Sequence, residues 1–238
     1  MTTIDQQIAL VTGANRGLGK ELVTQLLQRG AQKVYATARD VSTIDTADSR
    51  IVALQLDVTD PESVQRAADA AQDVTLLVNN AGIITGGQVL DADQSEIRRE
   101  FETNFFGPLR VTAAFAPHIV DNGGGVILNV HSALSWVSFG GTYETTKSAL
   151  WSATNALRLE LAPKGVQVVG LHVGFMDTEM VAHVDLPKAA PSDVVRQALD
   201  GIEAGEFEVL ADDASRQVKA GLSAPIEAMY PQVVEQSV

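Results

Sequence analysis

Ile8-Ala9-Leu10-Val11-Thr12-Gly13-Ala14-Asn15-Arg16-Gly17-Leu18-Gly19 runs from four consecutive apolar residues into three glycines, and helical spacing begins inside the same segment and continues through Arg29. A short apolar, β-branched run bounded by turn residues reads as a buried strand. Gly13 permits a tight turn off its end. Gly17 and Gly19 remove side chains at the start of the next helix, where backbone N–H groups and the helix dipole favour an anion such as a pyrophosphate. The spacing is G-x-x-x-G-x-G and not the commoner G-x-G-x-x-G. Three glycines alone also suit an ordinary turn; the strand before them and the helix after them favour the anion cradle.

Similar apolar runs recur at 33–38, 51–56, 74–78, 125–130 and 166–172, with a last strand candidate at 206–210. Helical spacing fills the intervals at 18–29, 61–70, 94–119, 143–161 and 192–204. Near-continuous apolar strands alternating with helices imply a parallel sheet covered on both faces. The expected fold is therefore α/β: a Rossmann-type doubly wound sheet with helices on both faces. No repeat or Pro/Ser-rich linker divides residues 1–238, so a single domain is expected, large enough to bury a sizeable core.

Apolar residues make up 45% of the chain, and the mean hydropathy is +0.07. No stretch approaches the roughly 20 uninterrupted apolar residues of a membrane helix, so no membrane partner is expected. The N-terminal MTTIDQQ lacks the basic region of a leader. There are no cysteines, which excludes disulfides, thiolate metal sites and cysteine nucleophiles and makes the cytoplasm the expected location. The net charge of −13 argues against nucleic acid, whose affinity depends on Lys and Arg. The four histidines, His118, His131, His172 and His183, show no metal-ligand spacing, and no metal is expected.

A dinucleotide on this fold is NAD or NADP according to what lies beside the adenosine ribose: an acid accepts the 2′-hydroxyl, whereas arginine accommodates a 2′-phosphate. The second strand ends in Ala38 and Arg39, with no acid at Ala38, and Arg16 stands in the glycine turn. Two guanidinium forks suit a phosphate and favour NADP(H). The adjacent Asp40 and the option of solvated surface arginines count against it.

Tyr143 and Lys147 stand four apart at the start of a predicted helix and so share a face. A neighbouring ammonium is expected to lower the phenol's pKa towards working pH. Ser132, just beyond a strand, offers a hydroxyl to a substrate carbonyl. Tyr-x-x-x-Lys also occurs by chance on helices.

Together Thr12-Gly13-x-x-x-Gly17-x-Gly19, Asp57-Val58, Asn79-Asn80-Ala81-Gly82, Asn104, Ser132 and Tyr143-x-x-x-Lys147 resemble, in order, the motifs of the short-chain dehydrogenase/reductase family over essentially the whole chain. The resemblance implies that Gly13, Asn15, Arg16, Gly17, Leu18 and Gly19 cradle the cofactor, with Asp57 and Val58 at the adenine. It implies that Asn80, Ala81 and Gly82 line the cleft, and that Gly174 and Thr178 approach the nicotinamide. Lys147 would hold the nicotinamide ribose, Ser132 orient the carbonyl, Tyr143 transfer the proton, and Asn104 hold a water linking Lys147 to solvent. The implied activity is that of a carbonyl reductase or alcohol dehydrogenase, EC 1.1.1.-, acting on a small molecule. A homodimer or homotetramer is implied through the helices carrying Asn104 and Tyr143.

Independently of the family, Pro108 has no N–H for the Asn104 carbonyl four residues earlier, which leaves that carbonyl free for a water or simply kinks the helix. Three departures from the family pattern stand out, one being Val173-Gly174 after the sixth strand where the family often has Pro-Gly. Ten residues separate Ser132 from Tyr143, against about a dozen in the family, a difference of the size that loops tolerate. Ser135 and Ser138 therefore remain candidates for the serine role. The substrate-covering segment, about 175–192, is brief, which implies an open pocket. Trp136, Phe139 and Trp151 suit core or subunit packing, with Trp136 and Phe139 also candidates for the pocket wall; Asp177 and Glu179 read as solvated charges. Glu144 sits either at the pocket rim or on the solvent face near a helix N-terminus.

Two other functions fit the fold. A sugar-nucleotide epimerase or dehydratase usually carries a substrate domain, for which the 60 residues after Thr178 are too few. A non-catalytic NADP-binding regulator would not need Ser132, Tyr143 and Lys147 together.

Overall fold

The computed structural model describes residues 2–235, with side chains as far as Val233. Among the described residues, seven strands form one parallel sheet: β1 (Ile8–Val11), β2 (Lys33–Ala38), β3 (Ile51–Gln55), β4 (Leu76–Asn79), β5 (Gly125–Val130), β6 (Val166–His172) and β7 (Glu208–Leu210). Their order is β3-β2-β1-β4-β5-β6-β7. Leu10 of β1 is paired with Tyr35 on one side and Leu77 on the other, so the direction of winding reverses between β1 and β4. A crevice opens there, beyond the carboxyl ends of the strands.

Each sheet face is apolar because its strands contribute alternate buried residues to a helix layer. On one face α1 (Gly17–Gln28) and α6 (Pro191–Ala204) bury Leu22, Leu26, Val195 and Leu199 over Ala9, Val11, Val78 and Leu128. On the other, α2 (Pro61–Ala70), α4 (Gly107–Asp121) and α5 (Thr142–Leu161) cover Leu10, Leu77 and Ile127 with Val64, Phe115, Ile119 and Leu161. The doubly wound expectation holds.

The single helix expected over 94–119 is interrupted. It divides into α3 (Gln94–Phe101), a π-helical turn (Glu102–Phe106) and α4. Pro108 lacks the N–H that would continue the ladder at Asn104, and the Gly107 N–H reaches back five residues to the Glu102 carbonyl. Smaller differences concern strand ends: the strand expected at 74–78 runs from Leu76 to Asn79, and that expected at 206–210 starts at Glu208. The C-terminal helices α7 (Asp213–Gly221), α8 (Ile226–Met229) and α9 (Pro231–Glu235) were not foreseen. Asp212 starts α7 by accepting from Ser215 N at 2.8 Å, a capping box written with Asp and Ser.

Candidate active site

The glycine turn is knotted to the end of β4 by one hydroxyl. Thr12 Oγ1 donates to the Val78 carbonyl (3.2 Å) and accepts from the N–H groups of Asn80 (2.9 Å) and Ala81 (3.0 Å). Asn80 Nδ2 returns the contact to the carbonyls of Thr12 (2.8 Å) and Gly13 (3.2 Å). Gly13 and Gly17 have φ of +65° and +51°, a region costly for a residue with Cβ. The reason for Gly19 differs from the expected one: a Cβ there would lie 2.2 Å from the Gly13 carbonyl oxygen, so its bareness lets the helix pack on the turn itself. Leu18 likewise points its side chain into the core. A Cβ on Gly17 would meet the Thr178 methyl at 3.5 Å, which places Thr178 across the cleft from the glycine turn.

Arg39 is exposed at the end of β2, and among the described residues its guanidinium has no partner. Arg16 pairs with Glu179 at 3.2 Å, both side chains largely in water, so Glu179 is a paired charge and not merely a solvated one. Asp57 Oδ1 accepts from Thr59 N (2.9 Å) and Oγ1 (2.7 Å), fixing the turn after β3. Val58 is buried, and its carbonyl accepts from Arg110 at 2.6 Å. The Gly174 N–H is bound at 2.7 Å by Asp212 Oδ2, an anchor the sequence reading missed.

Tyr143 and Lys147 occupy the first turns of α5. Lys147 Nζ donates to the Val130 carbonyl at 2.9 Å and lies 5.5 Å from the centroid of the Tyr143 ring. Burial lowers Lys147 to a pKa of about 8. The expectation for Tyr143 is overturned: burial first, then the charges of Glu100 and Glu144, push its phenol upwards, and a hydrogen bond from Ser132 is the opposing influence. The ammonium does not outweigh desolvation.

Ser132 follows β5 and caps a 3-10 turn by accepting from Leu134 N at 3.1 Å. The alternatives face elsewhere. Ser135 Oγ accepts from Ser132 N at 3.4 Å and Ser138 Oγ from Gly140 N at 3.0 Å, so both shape the loop. Asn104 sits in the π turn, fully buried; Oδ1 accepts from Ile83 N (2.8 Å), and Nδ2 donates to the Ile83 carbonyl (2.9 Å) and Thr146 Oγ1 (3.1 Å). Its side chain is thus committed to protein groups. A Cβ on Gly82 would lie 3.3 Å from Asn104 Oδ1 and 3.9 Å from Lys147 Nζ, so the bare backbone at Gly82 keeps this corner open.

Glu144 lines the cavity beside Tyr143, as the pocket reading had it, and is not a solvent-facing charge. It is buried, and Oε1 accepts from the N–H groups of Phe139 (3.0 Å) and Gly141 (3.2 Å), clamping the shortened loop before Tyr143. Trp136 is also buried, stacked on His172 with centroids 3.9 Å apart, whereas Phe139 is 76% exposed. His172 in turn stacks on His131, and burial holds His172 down at a pKa of about 4.

Beside Tyr143 lies a cavity of about 280 Å³ whose walls include Ile84, Leu134, Phe139, Phe175, Val181 and Val184. Tyr143, Glu144 and His183 also line it, and among the described residues no Lys or Arg does. Residues 175–192 form a short excursion pinned at its neck by the Met176–Ala189 bridge, with Ala189 N donating to the Phe175 carbonyl at 2.8 Å. A cavity of about 330 Å³ lies between α1 and residues 43–51, next to Asn15, away from Ser132, Tyr143 and Lys147. No group of His, Asp or Glu among the described residues is arranged to hold a metal, and no helix among them is long and apolar enough to cross a membrane.

The chain is 34% identical over 184 residues to an NADPH-dependent 1-acyldihydroxyacetone phosphate reductase of Schizosaccharomyces pombe, covering 74% of this chain and 62% of that protein's length. Its fold superposes with a TM-score of 0.93 on a short chain dehydrogenase from Burkholderia cenocepacia in complex with NADP, at 39% identity over 97% of this chain and 98% of that one. A bulky-bulky ketone specific alcohol dehydrogenase from Comamonas testosteroni gives a TM-score of 0.77 at 26% identity, covering 92% and 94%. Residues 7–189 match the family described as short chain dehydrogenase. The chain belongs to the short-chain dehydrogenase family of oxidoreductases.

Proposed function

We propose that the protein reduces a ketone or aldehyde to an alcohol, or the reverse, using NADP(H), with Tyr143 as general acid or base. The observation that carries this reading is the convergence of the Tyr143 phenol, the Ser132 hydroxyl at the end of β5 and the buried Lys147 ammonium beside a largely apolar cavity of about 280 Å³. When bound, the cofactor supplies or takes up the hydride. The proton is the protein's task. In reduction the Tyr143 hydroxyl gives its proton to the carbonyl oxygen, and Ser132 donates a hydrogen bond that holds the same oxygen in place. The apolar walls exclude water and strengthen both contacts.

The residues fit the cofactor. Gly13, Gly17 and the bare Gly82 leave the cleft open where side chains would fill it. Asn15, Arg16 and Gly17 lead into the α1 N-terminus, which suits the pyrophosphate. Arg39 is free to take the 2′-phosphate, and the exposed Arg16–Glu179 pair, worth only ~0–1 kcal/mol, yields readily to a second contact. Asp57 and Val58 at the adenine, Asn80 to Gly82 along the cleft, Gly174 and Thr178 near the nicotinamide, Lys147 on the ribose and Asn104 in a proton path belong to the same proposal. The names of the Schizosaccharomyces and Burkholderia proteins support the choice of NADP.

Residues 1–238 would act as one catalytic domain with 175–192 covering the substrate, in the cytoplasm. They would do so as a homodimer or homotetramer, a reading supported by the exposed Phe106 and Leu159 (46% and 80%) on the α4 and α5 side. Decay of NADPH absorbance on adding a panel of ketones tests the activity. Binding without turnover across that panel would reject it in favour of a cofactor-binding regulator.

A further inference from the structure

Glu100 is an acid where stability alone calls for an apolar residue. It is the last residue but one of α3, 0% exposed, and no Lys, Arg or His among the described residues pairs with it. Its charged neighbours are engaged elsewhere: Arg99 with Glu96 and Arg110 with Glu102, while Arg98 is exposed. Burying a carboxylate with no cation is costly, and well-packed apolar side chains commonly replace buried charges without loss. Two groups satisfy it. Oε1 accepts from Thr85 N at 2.6 Å, and Oε2 accepts from Thr142 Oγ1 at 2.5 Å.

Those two partners belong to opposite sides of the candidate active site. Thr85 lies between Ile84 and Gly86, which line the substrate cavity, and Thr142 is the first residue of α5, immediately before Tyr143. The same two segments are joined further along by Thr142 N to the Gly87 carbonyl (3.0 Å) and Val89 N to the Gly140 carbonyl (3.1 Å). Glu100 therefore closes, from behind, the seam between cavity wall and reacting helix.

We propose that Glu100 is a positioning residue for proton transfer, anchoring the first turn of α5 to the cavity wall and setting its carboxylate against the residue that precedes Tyr143. The inference rests on Tyr143 being the proton donor of the proposed reduction. Several groups among the described residues surround the phenol. Glu100 faces it from α3 and Glu144 from its own helix, both raising its pKa; Ser132 at the end of β5 lowers it, Lys147 lies over the ring, and His183 lines the cavity on the remaining side. A phenol kept protonated is an acid ready for reduction and a base harder to form for alcohol oxidation.

The test compares the full-length enzyme with Glu100→Gln, which keeps the shape and removes the charge, and Glu100→Asp, which keeps the charge and shortens the arm. With NADP⁺ and an alcohol, the acid limb of kcat/KM should move to lower pH in Glu100→Gln, giving at least about a threefold gain at a pH on that limb, and stay in place in Glu100→Asp. A readout independent of turnover is the Tyr143 resonance in protein labelled at tyrosine Cζ, assigned among three tyrosines with Tyr143→Phe. Near pH 10, the ionised fraction of Tyr143 should be at least about threefold higher in Glu100→Gln than in wild type. If Glu100→Gln does not fold, Glu100→Met carries the same readouts without a buried amide. A limb and a resonance that stay in place in the charge-removing variant overturn the inference and leave the proposed function intact. A Tyr143→Phe enzyme as active as wild type overturns the reading beneath it instead.

Discussion

Arg16 reaches across the mouth of the cleft to Glu179, Nη1 to Oε2 at 3.2 Å, and so ties the glycine turn to the segment that follows β6. This pair sets an acid against one of the two arginines assigned to the 2′-phosphate. Glu179→Gln should therefore tighten NADPH binding modestly, by up to about fivefold, the scale of an exposed pair. Arg39→Asp combined with Arg16→Ala should weaken NADPH far more than NADH, since charge-assisted contacts of ~1.5–3 kcal/mol each are lost at the phosphate. Fluorescence titration with both cofactors decides it, and equal losses would remove the NADP assignment.

The loop before Tyr143 offers three serines; Ser135 and Ser138 accept from loop N–H groups, and Ser132 is the one whose influence lowers the phenol's pKa. Ser132→Ala should lower kcat by a factor of about 10² or more, whereas Ser135→Ala and Ser138→Ala should cost stability and little rate. The opposite ranking in steady-state kinetics would transfer the carbonyl contact to another serine.

Glu144→Ala removes the acceptor for Phe139 N and Gly141 N. Loss of two buried bonds predicts a destabilisation of about 1–3 kcal/mol and a fall in kcat/KM that is uniform across small, bulky and acidic ketones. A gain confined to acidic ketones would show that the charge of Glu144 screens substrates at the cavity instead.

His172 is 0% exposed and held at a pKa of about 4 by burial. Between that value and the ordinary 6.5 the unfolded chain binds more protons than the folded one, so stability rises with pH across this window and is lost on acidification. The group accounts for about 3 kcal/mol by pH 4. His172→Phe keeps a ring stacked between Trp136 and His131 and should flatten the slope of urea-unfolding free energy from pH 6.5 to 4. An unchanged slope would assign the acid sensitivity to other groups.

How much of this was legible in the sequence depended on how local the cause was. The turn at Gly13, the strand at Ile8–Val11 and the pair Tyr143/Lys147 are written within a few residues, and the structure has them where expected. Pro108 gave away a disturbed helix at Asn104, though not that the ladder would widen to a π turn. Glu100 could not be read, because Arg98-Arg99-Glu100 looks like a solvated helix face and the partners of Glu100 lie 15 and 42 residues away. The loop clamp formed by Glu144 went unread for a related reason. Its acceptors' partners precede it by three and five residues in a loop whose path no local rule fixes. Gly174 was placed by family spacing, but its tie to Asp212 spans 38 residues and joins a C-terminal region that carried no recognisable motif.

The claim on which the account depends is that Tyr143 moves the proton. Tyr143→Phe deletes one hydroxyl and keeps the ring beneath Lys147. NADPH affinity, by fluorescence titration, should remain within about twofold of wild type while single-turnover carbonyl reduction slows by a factor of about 10² or more. A variant that binds NADPH and turns over at the wild-type rate would contradict the account.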